Sequence, residues 1–241
     1  MRDPQSCRPP PSAAASPVEA DPFLPSEYTA ALLRQVRLRA PLTGRVLDMG
    51  TGSGVLLAAL AECGAQDLVG VDIEPSAVHR AGALVETLGL PRACVRQGDL
   101  WDAVRGQSFD LVVFNPPQLP VRAGAEPGMR LRTWSDGGVL GREVIDRFLD
   151  GLPTHLTPEG AALVTHSGFL GLDETQRRLT RRGLRGEVVH TVTVHLGEAK
   201  LRQLAQDWGE HAFGRAVHRV GPYVFCDVQV LEIRHAERGA R

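Results

Sequence analysis

Three glycines at every second position close one short strand and open a helix, and few folds accommodate that arrangement. Arg45–Met49 reads as the strand, Gly50, Gly52 and Gly54 as the turn, and Val55–Cys63 as the helix, closed by Gly64. The same strand-then-helix pattern recurs along the chain. The spacing predicts further strands at Asp67–Asp72, Ala93–Arg96, Phe109–Phe114, Ala161–Thr165, Val188–Val194 and Tyr223–Ile233. It predicts helices at Ser26–Ala40, Glu74–Leu88, Gly138–Leu149, Asp173–Arg182 and near Glu198–His211. Alternation of this kind implies α/β architecture: a mostly parallel seven-stranded sheet with helices on both faces. The long, alternating last strand is expected to run antiparallel at the sheet edge. In such a sheet, ligands bind at the carboxyl ends of the strands, so chemistry should sit in the strand-to-helix loops.

Bulk properties exclude several classes. The 241 residues suit one large domain, expected over 21–241, with 200–241 forming a divergent helix and edge strand. The Pro-, Ser- and Ala-rich residues 1–20 are expected to form a disordered leader. That segment lacks the apolar core of a secretory signal. No apolar run approaches the roughly 20 residues needed to span a bilayer. The four cysteines, Cys7, Cys63, Cys94 and Cys226, form no CxxC pair, so reduced thiols in the cytoplasm are expected and no metal site. A net charge of −1 provides no field for nucleic acid. Nothing here fixes the oligomeric state.

The glycine turn carries the first chemical signal. A dinucleotide fingerprint wants G-x-G-x-x-G, whereas here Gly50, Thr51, Gly52, Ser53 and Gly54 give G-x-G-x-G, with Val55 next. Asp48 precedes the turn and would repel a pyrophosphate but attract an ammonium group. S-adenosylmethionine carries an ammonium and a sulfonium and no phosphate, so it fits this loop better than NAD does. Asp72, followed by Ile73, ends the next strand, where a carboxylate can accept both ribose hydroxyls. Asp99 and Leu100 end the third, where Asp99 could accept from an adenine amino group and Leu100 or Trp101 could pack on the ring. Taken singly, each has a plain structural reading: a tight turn, or a core tryptophan. Their order, each after a strand, is what points to a cofactor.

The fourth strand ends in Asn115-Pro116-Pro117-Gln118. The two prolines fix the backbone and lack N–H donors, which leaves the carbonyls of Asn115 and Pro116, with the Asn115 side-chain oxygen, to accept from a substrate NH2. Accepting both protons turns the nitrogen lone pair toward the methyl donor, which is catalysis by orientation and by relief of developing charge. Asn-Pro is also a common turn starter; its place one strand beyond the adenine site argues for function. His166, after the fifth strand, is a candidate base or substrate ligand, or simply a packed histidine.

Together these residues resemble the HemK-like class I methyltransferases, over roughly Asp21 to Lys200. The resemblance rests on Pro25-Ser26-Glu27-Tyr28-Thr29, similar to the family's P-x-E-D-T, on DMGTGSG, GVDIEPSAV, GDLW and FDLVVFNPP, and on Trp134-Ser135-Asp136-Gly137-Gly138 followed by GREVIDRF. It implies a Rossmann-like class I methyltransferase fold and cofactor contacts at Thr29, Asp48, Gly50, Thr51, Gly52, Asp72, Asp99 and Asn115. It implies substrate contacts at Asn115 and Pro116, with Trp134 and Asp136 in the loop beside the acceptor, although plain packing explains Trp134 equally well. The family usually has NPPY, whose ring stacks on the acceptor. Gln118 stands there instead and is expected to offer the substrate hydrogen bonds. With no recognition domain evident before the first strand, this favours a small metabolite or amino acid as acceptor. A protein glutamine or lysine side chain, a nucleic-acid base and a non-catalytic scaffold are the alternatives.

Overall fold

A computed structural model of the chain describes residues 25–120, 136–198, 201, 202, 204 and 216–237. Leader residues 1–20 and Trp134 lie outside them. The elements run α1 (Glu27–Arg37), β1 (Arg45–Met49), α2 (Val55–Glu62), β2 (Asp67–Asp72), α3 (Pro75–Leu88), β3 (Arg92–Gln97), β4 (Phe109–Phe114), α4 (Glu143–Gly151), β5 (Leu156–Ser167), α5 (Leu172–Arg181), β6 (Leu184–His195), β7 (Val217–Val220) and β8 (Tyr223–His235). One sheet has the order β3-β2-β1-β4-β5-β8-β6, with β7 paired to β8. β1 to β5 run parallel to one another, and β8 runs antiparallel to both β5 and β6.

The period-2 pleat divides the core in two. Leu47, Met49, Val112, Phe114, Ala162 and Val164 face one layer, with Phe148 and Leu149 of α4 and Leu179 of α5. Val46, Leu68, Leu111, Val113, Ala161 and Leu163 face the other, with Leu32 and Val36 of α1 and Leu57 of α2. Which parity a residue has therefore decides which layer it meets.

α1 starts where predicted because Ser26 caps it: its hydroxyl accepts from the Thr29 N–H while the Thr29 hydroxyl accepts from the Ser26 N–H. α4 starts later than its apolar spacing suggests. Gly138 and Gly141 hold φ of 79° and 70°, a turn conformation, so the helix begins at Glu143. Two expectations about the C-terminal part need correcting. The last strand is antiparallel but not at the edge: β8 lies between β5 and β6. Its Val224, Cys226, Val228, Val230, Leu231 and Ile233 are buried, whereas all of β6 except Leu184 is exposed or half-buried, so the more apolar strand takes the interior. β7 has no counterpart among the predicted elements; its Val-His-Arg-Val offers two apolar residues and pairs only through the turn to β8. In the predicted helix near Glu198–His211, residues 198, 201, 202 and 204 are helical. No described helix is long and apolar enough to cross a membrane.

Candidate active site

The carboxyl ends of β1, β2 and β4 bring the predicted residues together. Gly50, Gly52 and Gly54 adopt φ of 64°, 52° and 81°, and a Cβ on Gly54 would press on Leu84 and Ala81 of α3. The turn therefore curls tightly enough to seat α2 against α3. Asp48 shares the face of Val46 and is fully buried at the start of this turn. One of its carboxylate oxygens accepts from the Thr51 hydroxyl at 2.7 Å, and the other has no hydrogen-bond partner among the described residues. Burial pushes this carboxyl up to about 7, against the pull of the Thr51 hydrogen bond and with Asp72 adding to the rise. A buried carboxylate with an unpartnered oxygen fits a ligand with an ammonium group and repels a phosphate.

Asp72 is held from behind. The Gly52 N–H donates to one oxygen and the Glu74 N–H to the other, both at 2.9 Å. These bonds fix the plane of the carboxylate and leave each oxygen a further lone pair. Ile73, beside it, is one of the exposed large apolar residues. After β3, Leu100 is the one described non-glycine residue at positive φ, 49°, a strained backbone of the kind found at ligand sites. Asp99 lies next to it, paired to Arg147 of α4 at 2.7 Å. Trp101 belongs to the core. It is buried, its indole N–H donates to the Phe148 carbonyl at 2.9 Å, and it stacks on Phe148 and His155.

At the end of β4, Asn115 follows Phe114 and so falls on the α1 face, shared with Leu111 and Val113. Its side-chain oxygen accepts from the Thr165 hydroxyl at 2.7 Å and its NH2 meets the Thr29 hydroxyl at 3.4 Å. Two segments far from it in sequence thus hold this one amide. Asn115 and Pro116 come after the last pairs of the β4 ladders, Phe114 with Met49 and with Val164, so the sheet no longer claims their carbonyls. Asp136, whose carboxylate accepts from the Gly138 N–H, is bridged to Leu119 just beyond. The following turn packs Gly141 against the Gln118 carbonyl and exposes Val139 and Leu140.

Two expected substrate contacts face elsewhere. Gln118 is 4% exposed; its side-chain oxygen accepts from the Ser167 N–H at 2.6 Å and its NH2 donates to Thr165 at 2.9 Å. Its amide serves β5 rather than a ligand. His166 has the opposite parity to Thr165 and points into the α4–α5 layer, where it is fully buried against the Thr175 hydroxyl at 2.8 Å, itself bound by Arg142. Burial, then the Arg142 charge, lowers the imidazole to about 3, so it is neutral and shut away from the site. Sequence reasoning missed Thr165 and Ser167. Their only signal was polar residues ending an apolar strand at the sheet's functional end. Tyr28, singled out only for its helical spacing and its place in PSEYT, bonds Ser167. Burial, with Cys226 adding, pushes its phenol up to about 12 despite the Ser167 bond.

The sheet order and the site define a class I methyltransferase that uses S-adenosylmethionine as methyl donor. Residues 27–130 match the family "Methyltransferase small domain". The chain is 36% identical over 143 residues to a Methanocaldococcus jannaschii protein named "Putative protein N5-glutamine methyltransferase", covering 59% of this chain and 72% of that one. It is 32% identical over 148 residues to the release factor glutamine methyltransferase of Geobacter sulfurreducens, covering 59% of this chain but only 52%, about half, of that one. In three dimensions it resembles the E. cuniculi Mtq2–Trm112 complex, described as responsible for methylation of the eRF1 translation termination factor. That likeness has a TM-score of 0.58 and 22% identity over 90% of this chain and 99% of that one, and it bears on the fold. The chain belongs to the HemK-like S-adenosylmethionine-dependent methyltransferases.

Proposed function

We propose that the chain methylates the side-chain amide nitrogen of a glutamine in a protein. The observation that carries this is the clamped Asn115 amide, followed by Pro116 and beyond the last β4 pairs, at the same end of the sheet as Asp48 and Asp72. S-adenosylmethionine, when bound, supplies an electrophilic methyl group. Asp48 would hold its ammonium, Asp72 its ribose hydroxyls, and Asp99 with Leu100 would border its adenine. The Asn115 side-chain oxygen and the Pro116 carbonyl accept the two N–H bonds of the substrate amide. That fixes the nitrogen's angle of attack and strengthens as positive charge grows there. The proton can leave to water after transfer, so a strong base is unnecessary and the burial of His166 is no obstacle.

A protein acceptor displaces the small metabolite that the sequence alone favoured. Gln118 was the main reason to expect a different acceptor, and its hydrogen bonds are made inside the protein. The named relatives act on protein glutamine, and the apolar lip at Val139 and Leu140 suits a polypeptide. Incubation with labelled cofactor and, separately, release factor, free glutamine and free amino acids tests this, with mass spectrometry locating the methyl group. Label on a glutamine amide of the protein is expected; label on free amino acids alone would sink the reading.

A further inference from the structure

We propose that Gln118 is a positioning residue: acting through Thr165, it dictates which way round the Asn115 amide sits. This rests on the reading of Asn115 as the substrate's acceptor. The relay starts at a group whose polarity cannot change. The Ser167 backbone N–H can only donate, and it lies 2.6 Å from one end of the Gln118 amide. That end must be the oxygen. The NH2 end then faces the Thr165 hydroxyl at 2.9 Å and must donate to it. A hydroxyl has a single proton, and with its oxygen already accepting from Gln118, that proton is free to point to Asn115, 2.7 Å away. The described residues offer that buried proton no other side-chain acceptor, so the arrangement that satisfies it has Asn115 presenting its oxygen to Thr165 and its NH2 to Thr29.

Each bond fixes the polarity of the next. Thr165 and Ser167 are fully buried and Gln118 nearly so, which leaves water little room to substitute for a missing member. The fold explains why the Ser167 N–H is available. β4 pairs with β5 only as far as Phe114 with Val164, and beyond that point the Gln118 side chain takes the place of the absent strand. With its orientation set, the Asn115 oxygen keeps one lone pair for a substrate N–H. A reversed amide would set NH2 against the substrate's NH2, donor against donor.

Gln118→Glu tests this because the size is unchanged. The ionised carboxylate of this variant accepts from Ser167 but has no proton for Thr165. The Thr165 proton turns to that carboxylate, and the Asn115 oxygen loses its donor. Once protonated, the introduced carboxyl carries one O–H and restores the sequence of bonds. Three measurements are read together: methyl transfer to release factor, S-adenosylhomocysteine affinity by calorimetry, and the Asn115 side-chain NH2 signals in nitrogen-15 NMR. Relative to the native chain, Gln118→Glu should lose kcat by about tenfold or more at high pH and recover as the pH falls. S-adenosylhomocysteine affinity should stay within about threefold. Thr165→Val should show the same loss without pH recovery, the double variant should be no worse than either single one, and Thr165→Ser should restore activity. Both single variants should move the Asn115 signals. If those signals stay put in folded Gln118→Glu and Thr165→Val, the proposal is overturned whatever the activity. Signals that move while the native chain fails to methylate any protein would retain the relay and reject the protein acceptor.

Discussion

The two layers flanking the sheet each bury a titratable group at the same end of the strands, and the two groups do opposite things. Asp48, on the α1–α3 side, has a carboxylate oxygen unpartnered among the described residues and a carboxyl raised to about 7. His166, on the α4–α5 side, is bonded to Thr175 and neutral down to about 3. Both are fully buried. Asp48 lies beside the Gly50–Gly54 turn, at the end of the sheet proposed to hold the cofactor's ammonium. His166 Nε2 meets the Thr175 hydroxyl, which Arg142 also binds, and its Nδ1 has no hydrogen-bond partner among the described residues. A perturbed titration alone therefore does not mark a functional group here; its place relative to the strand-to-helix loops has to agree.

The largest effect expected from breaking this contrast is at Asn115, on the Asp48 side. Asn115→Ala should cut methyl transfer by roughly a hundredfold or more while circular dichroism and melting stay near native. Near-native turnover would refute the proposed geometry. Asp48→Asn comes next and should separate stability from binding. Because burial raises this carboxyl above its unfolded value, the unfolded chain binds fewer protons between about pH 4 and pH 7, and stability falls as pH rises through that window. The charged form costs roughly 4 kcal/mol above it. The asparagine variant should thus melt higher than the native chain at pH 8 yet bind S-adenosylhomocysteine about tenfold or more weakly. In the native chain, that affinity should rise with pH through about 7, as ionised Asp48 meets the ammonium.

His166 sharpens the comparison from the other side. Its folded value lies below its unfolded one, so stability is present above about pH 6.5 and is lost as pH falls toward 3, when the buried imidazole must charge. His166→Gln should destabilise by about 1–3 kcal/mol through imperfect pairing with Thr175, with transfer within about threefold of native per folded molecule. A much larger loss of kcat would return His166 to the site. The smallest effect belongs to Arg147→Ala, which removes a half-exposed ion pair to Asp99. It should change stability by less than about 1 kcal/mol, and a larger shift in S-adenosylhomocysteine affinity would show that the pair shapes the adenine edge.

Much of the site was legible because its parts are local. The G-x-G-x-G turn after β1, the acid ending β2 and the Asn-Pro-Pro after β4 each specify a backbone and a chemical group within a few residues. What was misjudged depended on contacts across long stretches of chain. Gln118 and Thr165 are 47 residues apart, Asn115 and Thr29 are 86 apart, and no spacing rule reports such pairs. Expecting Gln118 to face the substrate assumed that a polar residue beside a site is offered to the ligand. The unpaired Ser167 N–H of β5 claimed it first, because a buried backbone donor left unmet is costly.

The strand-helix alternation, the order of the motifs, and hence the cofactor class are written in the amino-acid order alone. They follow from apolar periodicity, from glycines where positive φ is required, and from where acids and prolines fall. Packing in three dimensions settled the rest. It placed β8 inside the sheet because its apolar residues gain more from burial there than those of β6. Through the parity of the pleat it turned His166 away from the site and Thr165 into it. It also made Gln118, the residue that departs from the family's pattern, a brace for the asparagine three positions before it.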